Sequence, residues 1–397
     1  MRVMVTCIMK VLENTYSLAT HLECSACSSP YPLNKLQTYS ECCHKPLSTQ
    51  YNIPADLDRS QLSNRINSMW RYAEMLPIQS PDNIVSLGEG MTPILPFRNL
   101  SKSYGYSQLY IKEEGYNPTG SFKARGISMA VSRAKELGVE HCVVPTAGNA
   151  GGALSAYCAA AGMKSTVLMP SYTPKIFQEE CKLFGAELIL VDGLINDCAK
   201  LVKDIVEETG AFDISTLKEP YRLEGKKTMG YEIAEHFNWE LPDVILYPTG
   251  GGTGLIGIWK AFQEMIELGW ITGSLPRMIA VQSANCSPLV QAFHNLPAQP
   301  IKGSIANGLA VPTAFAKDMI MKTLHGSGGT AIAVTEESID RGVREIGRNE
   351  GINISPEGAA VWEALKLLTD QGVVDRDEKI LLLNTGTGYK YFENFEF

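Results

Sequence analysis

The sequence predicts an α/β protein: two parallel or mixed-sheet three-layer domains with a small Cys-rich segment ahead of them. Two observations carry that reading. From Leu109 onward, short β-branched apolar runs alternate with helical stretches, which is the pattern of a parallel sheet with helices on its faces. Glycine-rich turns recur where those strands end, and there open α/β sheets hold ligands. The length of 397 residues, with 45% hydrophobic and 20% charged, suffices for two domains and an appendage.

In chain order, the first feature is Cys24-x-x-Cys27 followed by the adjacent pair Cys42-Cys43 and then His44, in a stretch dense with Ser, Pro and Tyr. This is metal-ligand composition, so Cys24, Cys27, Cys42 and Cys43 are candidate ligands for a structural zinc ion. Adjacent cysteines seldom both reach one tetrahedral ion, so His44 is a possible substitute and a metal-free remnant of such a ribbon the competing expectation. Six further cysteines, Cys7, Cys142, Cys158, Cys181, Cys198 and Cys286, stand singly in apolar surroundings and read as buried free thiols.

The stretch Asp56 to Met75 has helical spacing of Leu57, Leu62, Ile66, Met69 and Trp70, closed by Pro77, and is expected to be a surface helix. An irregular loop Val85 to Pro93 precedes a strand Leu109 to Lys112. The alternation continues as helix Phe122 to Leu137, strand Cys142 to Pro145, helix Ala153 to Ala161, strand Ser165 to Met169, helix Pro174 to Phe184, strand Glu187 to Val191 and helix Ile195 to Glu208. After it come helix Gly230 to Phe237, strand Val244 to Tyr247, helix Leu255 to Glu267, strand Met278 to Gln282 and strand Lys379 to Leu383. The expected division is a Cys-rich segment 1–60, a large domain from 61–140 and 226–397, and a small domain 141–225.

Charge and hydropathy exclude some functions. A formal net charge of -8 offers no basic stripe for a nucleic-acid backbone. The longest apolar stretches are broken by Gly, Pro or charge well short of a membrane span. The apolar run Val3 to Met9 is short and no small-residue cleavage site follows it, so a cytoplasmic protein is expected.

The chemistry centres on Asn117-Pro118-Thr119-Gly120-Ser121-Phe122-Lys123-Ala124-Arg125-Gly126. Asn-Pro and Thr-Gly make a turn, and the residues from Phe122 suit a helix, so Lys123 falls at a helix start. The positive end of a helix disfavours an ammonium ion there, leaving a more nucleophilic amine of the kind Schiff-base chemistry needs. Thr146-Ala147-Gly148-Asn149-Ala150-Gly151-Gly152 follows a strand, with amides able to approach a carboxylate or ring substituent. Pro248-Thr249-Gly250-Gly251-Gly252-Thr253-Gly254 gives up roughly a kcal/mol of backbone entropy per glycine relative to alanine, which an anion nest at a helix N-terminus would offset. It has neither the ending of a nucleotide P-loop nor dinucleotide spacing, so a small phosphate monoester suits it. Asn384-Thr385-Gly386-Thr387-Gly388 places hydroxyls at the end of the last strand. Amine, anion nest, amide loop and hydroxyl together suit pyridoxal 5'-phosphate.

With those motifs in that order, the chain resembles the fold type II pyridoxal-phosphate enzymes, and among them the threonine synthases, from about Leu22 to Lys390. The Cys-rich start, Leu87-Gly88-Glu89-Gly90-Met91-Thr92-Pro93, Pro356-Glu357-Gly358-Ala359-Ala360 and Thr385 to Lys390 add to the match. The resemblance implies that Lys123 is the Schiff-base lysine, that Phe122 lies against the cofactor ring and that Asn149 bonds the ring's phenolic oxygen. It further implies that Gly250, Gly251, Gly252, Thr253 and Gly254 hold the phosphate, that Thr385 faces the pyridine nitrogen, and that Thr146, Ala147 and Gly148 bind the substrate carboxylate. The implied substrate is a small amino acid, O-phosphohomoserine, converted with water to threonine, and the implied assembly is a homodimer. Ala124 stands where many threonine synthases carry aspartate and matches serine and threonine dehydratases, which remain the second reading; a non-catalytic binding protein on this fold is the third. Extra cations for a substrate phosphate would separate the first two, and Lys182, Arg222, Lys226 and Lys227 are candidates by charge.

Overall fold

A computed structural model describes residues 16–54, 57–193 and 195–396. Cys7, the run Val3 to Met9 and Asp56 lie outside the described residues.

The chain opens with a ribbon. Strands β1 (Ala19–Cys24), β2 (Pro30–Pro32) and β3 (Leu47–Tyr51) pair antiparallel in the order β2-β1-β3. Cys24, Cys27, Cys42 and Cys43 bring their sulfurs within 4.8 Å of one another. The adjacent pair does converge, against the expectation from sequence. His44 is not part of the group: its ring lies 5.8 Å from that of Tyr39.

The surface helix expected over Asp56 to Met75 is absent. Two 3-10 turns stand there, Arg59–Asn64 and Met69–Met75, separated by extended backbone at Arg65 and Ser68. Asp58 and Ser68 each accept a hydrogen bond from the backbone two residues on, so local side-chain bonds compete with a continuous helix. Met69, Trp70 and Tyr72 are buried, so the segment packs into the body.

The body begins with β4 (Ile94–Pro96), α1 (Arg98–Tyr104), β5 (Gln108–Glu113) and α2 (Lys123–Glu136). It continues with β6 (His141–Pro145), α3 (Asn149–Ala161), β7 (Lys164–Pro170), α4 (Lys175–Leu183), β8 (Glu187–Val191), α5 (Ile195–Thr209), β9 (Phe212–Asp213) and α6 (Tyr221–His236). Then follow β10 (Val244–Pro248), α7 (Thr253–Glu267), β11 (Arg277–Ser283), α8 (Pro288–Phe293), α9 (Lys317–Gly326), β12 (Thr330–Val334), α10 (Glu336–Glu350), α11 (Pro356–Asp370) and β13 (Lys379–Asn384).

These strands form two sheets. One has six strands in the order β12-β11-β10-β13-β5-β4, parallel except for β4; the other has four parallel strands in the order β8-β7-β6-β9. Both sheets are covered on both faces, as parallel sheets must be. Ile245 on β10 packs with Leu223 and Ile233 of α6 and Phe262 of α7, while its neighbours Val244 and Leu246 pack with Trp362 and Leu365 of α11. On β6, Cys142 and Val144 face Ala153, Tyr157 and α2, whereas Val143 faces Cys198 and Val202 of α5. Cys142, Cys158, Cys181, Cys198 and Cys286 are buried and unbridged, as expected.

Two helices start well ahead of where the sequence suggested, and α7 starts two residues early, at Thr253. α3 begins at Asn149 rather than Ala153, and α6 begins at Tyr221 rather than Gly230. α6 is buried on nearly every side, so its sequence carries no amphipathic stripe to mark its start.

Candidate active site

The carboxyl ends of β6, β10 and β13 open onto one cavity of about 880 Å³, lined by Pro145, Pro248 and Thr385 and by every glycine-rich turn that the sequence singled out. Lys123 stands at its floor as the first residue of α2. Its approach is a tight turn in which Thr119 (φ 58°) and Gly120 (φ 64°) take left-handed backbone. That turn is stitched to the loop after β13: the Phe122 N–H donates to the Thr385 carbonyl at 3.0 Å and the Thr387 N–H to the Gly120 carbonyl at 2.8 Å. Lys123 and Thr385, far apart in sequence, are therefore held by a shared hydrogen-bond ladder.

The Lys123 amine lines the cavity and lies deep in the protein. Burial, with the Arg222 guanidinium adding to it and Glu357 opposing, pulls it down to about 7. The sequence argument credited the helix start; burial is the larger cause.

Beneath Lys123, Arg125 turns inward. Its Nε donates to Glu114 Oε2 at 2.6 Å and its Nη2 to Glu232 Oε2 at 2.7 Å, and Lys112 donates to the same Glu232 oxygen at 2.8 Å. Two cations and two carboxylates, all fully buried, anchor the start of α2 to β5 and α6. Sequence reasoning missed this role of Arg125.

The glycine turn Gly250 to Gly254 leads into α7 with no side-chain cap. The amide N–H groups of Gly251, Gly252, Thr253 and Gly254 meet no acceptor among the described residues. Open donors at a helix start are what an anion satisfies. Side chains are excluded: a Cβ at Gly250 would lie 2.2 Å from the Gly308 carbonyl oxygen, and Gly252 has φ 77°. Across the cavity, Ala147, Asn149 and Ala150 likewise have amides without acceptors among the described residues. The Asn149 side-chain oxygen accepts from Lys390 at 3.1 Å, and Lys390 also donates to the Thr119 carbonyl and to both Glu180 oxygens. Asn149 thus has its carbonyl engaged behind it. Its amide nitrogen sits 3.5 Å from the Tyr391 hydroxyl, which donates to Glu357. The Lys390 link was not foreseen, although the Thr385 to Lys390 ending had marked the segment.

The charge candidates separate cleanly. Lys182 is exposed and paired with Glu179, and Lys227 is held by Glu224 at 2.6 Å and Glu264 at 2.9 Å; neither lines the cavity. Arg222 and Lys226, one turn apart on α6, do line it, as does Lys218. Arg222 donates through Nη1 to the Ile214 carbonyl, but its buried Nε and Nη2 have no hydrogen-bond partner among the described residues. Lys226 is 1% exposed and shows no ion pair among the described residues. Burial drives its amine well below the usual lysine value, with Arg222 and Lys123 adding to the effect. Glu219 offsets both cations in part, and Asp213 adds to that at Arg222. The Glu219 carboxylate accepts the Tyr221 and Arg222 backbone N–H groups, and burial pushes it up to about 7 against the pull of Arg222. Lys123 Nζ and Lys226 Nζ lie 4.3 and 4.7 Å from the centre of the Phe122 ring. Gly126 lets α2 and α6 approach this closely, since a Cβ there would meet the Arg222 carbonyl at 2.8 Å. Ala124, by contrast, is fully buried in the apolar core and does not line the cavity.

Comparison with known proteins agrees with this geometry. Residues 85–386 match the family described as pyridoxal-phosphate dependent enzyme. The chain is 35% identical to threonine synthase of Methanocaldococcus jannaschii and 32% identical to that of Methanosarcina acetivorans, covering 92% of itself in both cases and 92% and 91% of those proteins. Among solved structures it is similar to maize serine racemase (TM-score 0.65, 22% identity, 76% of this chain and 93% of that one). It is also similar to threonine deaminase isoform 2 from Solanum lycopersicum (TM-score 0.64, 19% identity, 84% and 91%). The chain belongs to the fold type II pyridoxal-phosphate-dependent enzymes.

The residues present fit that cofactor. A buried amine pulled to about 7, a helix start with four acceptor-less amides and an asparagine beside them are the contacts that its aldehyde, phosphate and phenolic oxygen require. The four cysteines of the ribbon do not line this cavity.

Proposed function

We propose that the chain is a threonine synthase, converting O-phosphohomoserine and water to threonine and phosphate. The observation that carries this reading is the Arg222 guanidinium, buried at the cavity wall with two unpartnered nitrogens beside Lys226. A substrate without a phosphate would leave those donors unsatisfied in a low-dielectric site, at a cost of about 1–3 kcal/mol or more. The relatives reported above at 35% and 32% identity are both threonine synthases, whereas the deaminase and racemase resemble the chain in fold.

When bound, pyridoxal phosphate supplies the electron sink that makes the protons on Cα and Cβ of an amino acid removable. The protein supplies position and proton transfer. Gly251 to Gly254 would take the cofactor phosphate, and Thr385 would meet its ring nitrogen. The free amides of Ala147, Asn149 and Ala150 would take the substrate carboxylate, with Thr146 and Gly148 shaping that turn. Arg222 and Lys226 would grip the substrate phosphate and stabilise it as it leaves Cγ with the bonding electrons. Lys123, poised to bind or release a proton near neutral pH, would carry protons from Cα and Cβ and return one to Cγ; water's hydroxyl adds at Cβ and a proton returns to Cα.

The second reading, a serine or threonine dehydratase, rests on Ala124, whose burial outside the cavity gives it no contact with a substrate. The test is to incubate the loaded enzyme with O-phosphohomoserine, threonine and serine separately and to measure phosphate, threonine and 2-oxo acid. Threonine formed with equimolar phosphate is expected; 2-oxo acid alone would overturn the proposal.

A further inference from the structure

The ribbon presents a second constellation, whose cysteines do not line the cavity. Cys24 and Cys27 flank a turn in which the Ser28 N–H donates to the Cys24 carbonyl at 2.9 Å, and Ser28 itself takes φ 58°. Cys42 and Cys43 sit on a second turn, closed by the His44 N–H on the Ser40 carbonyl at 2.9 Å, with His44 at φ 51°. Both turns thus place a left-handed residue directly after a cysteine. The bend brings four sulfurs within 4.8 Å of one another, with Cys27 and Cys42 3.4 Å apart, and none of the four is bridged. Four thiolates around a tetrahedral ion at about 2.3 Å stand about 3.8 Å from each other, so the spacing suits one metal ion.

The ribbon's buried apolar core is Leu22, Cys24, Leu33 and Leu47, one of which is itself a cysteine of the cluster, with Ala19, Tyr31 and Cys43 packed against it. A core of that size is small for a three-stranded sheet, and a metal staple would reinforce it. We propose that Cys24, Cys27, Cys42 and Cys43 bind one zinc ion in a closed, structural site, and that the ion makes the ribbon a brace for α6.

The brace runs through β3. The Tyr51 hydroxyl donates to Glu224 at 2.6 Å, and its ring lies 3.9 Å from Lys227 Nζ. Lys260 Nζ donates both to the Thr49 carbonyl at 2.8 Å and to Glu224 at 2.7 Å. Glu224 lies on α6 between Arg222 and Lys226. The ribbon is also pinned at Lys45, which donates to Asp318 at 2.7 Å, and at the Leu33 carbonyl, which accepts from Arg133 at 2.5 Å. The far end of the ribbon therefore bears on the helix that carries Arg222 and Lys226.

The test uses full-length holoenzyme purified under reducing conditions without added zinc. Elemental analysis is expected to find one zinc per chain, and exchange with cobalt to give thiolate-to-cobalt charge-transfer absorption. Cys27 and Cys42 are exposed, so the double substitution Cys27→Ser, Cys42→Ser spares the core and should lower zinc content at least tenfold and abolish the cobalt bands. The cofactor chromophore of that variant reports whether the body is folded. Zinc below a tenth of an equivalent with no cobalt spectrum, iron in its place, or full zinc in the double variant would each overturn the assignment. Hydrogen exchange tests the brace: removal of zinc should speed exchange across 221–236 relative to 356–370, and unchanged exchange there would refute it.

Discussion

At the scale of single residues, the site turns on the cost of burying charge. Lys123 is ordinary in type and unusual in place: an amine whose usual value is near 10.5 sits at about 7 because burial and Arg222 both disfavour its charged form. When pyridoxal phosphate is added to cofactor-free protein, the rate of appearance of the visible chromophore should rise through pH 7 as the neutral amine accumulates, then level off. An unperturbed lysine would make the rate climb about tenfold per pH unit until near 10. Lys123→Ala should give no borohydride-reducible chromophore at any pH. Arg222→Gln removes the two unpartnered nitrogens' charge, so KM for a phosphorylated substrate should rise roughly 10- to 100-fold, the equivalent of about 1.5–3 kcal/mol for a charge-assisted contact. KM for an unphosphorylated amino acid should change little; equal losses for both would mean that Arg222 only props the fold. Lys123, Asn149 and the glycine turn were legible in sequence because each is a residue type with few other uses at such a turn. Arg222 and Lys226 were legible only as charge, because their distinction from Lys182 and Lys227 is a matter of which face is buried and who is already paired.

At the scale of elements, α2 is positioned by what it hides rather than by its exposed face. Arg125, Lys112, Glu114 and Glu232 form a closed network of charges under the lysine turn. Arg125→Met should destabilise the protein by about 3–5 kcal/mol, read from the urea midpoint, because two buried carboxylates lose their main partner. The strands expected from the sequence lie within a residue of those observed at either end, but β12 and the helices α1, α8, α9, α10 and α11 were not assigned. Among the elements that were assigned, two failed for opposite physical reasons. The Asp56 to Met75 stretch has helical spacing, yet Asp58, Ser60 and Ser68 divert the backbone into short capped turns. α6 has no spacing to read, since Tyr221 to Ala234 are all buried and its charges are paired or aimed at the cavity. Glu219-Pro220 with Glu224 in the first turn was the available signal for its start.

At the scale of the molecule, the cavity exists because two covered sheets present their strand ends to each other. Pro145 ends β6 of one sheet, while Pro248 ends β10 and Thr385 follows β13 of the other. A ligand bridging these walls stabilises only the folded arrangement, by RT ln(1 + [L]/Kd). Loading with pyridoxal phosphate at a hundredfold excess over Kd should therefore add about 2.7 kcal/mol and raise the thermal midpoint by a few degrees. The same addition to Lys123→Ala should give a smaller shift. Among the described residues no helix is long and apolar enough to cross a membrane.

The ladder between Phe122 and Thr385 also bears on the order in which the protein comes into being. β13 lies between β10 and β5, the latest strand of its sheet in sequence but one from its middle. Until Lys379–Asn384 has been synthesised and inserted there, the lysine turn has nothing to be stitched to, and the cofactor nest of β10 stands apart from β5. A nascent chain still tethered to the ribosome short of this strand thus carries every glycine turn but the last, and it acquires a catalytic pocket in one late event.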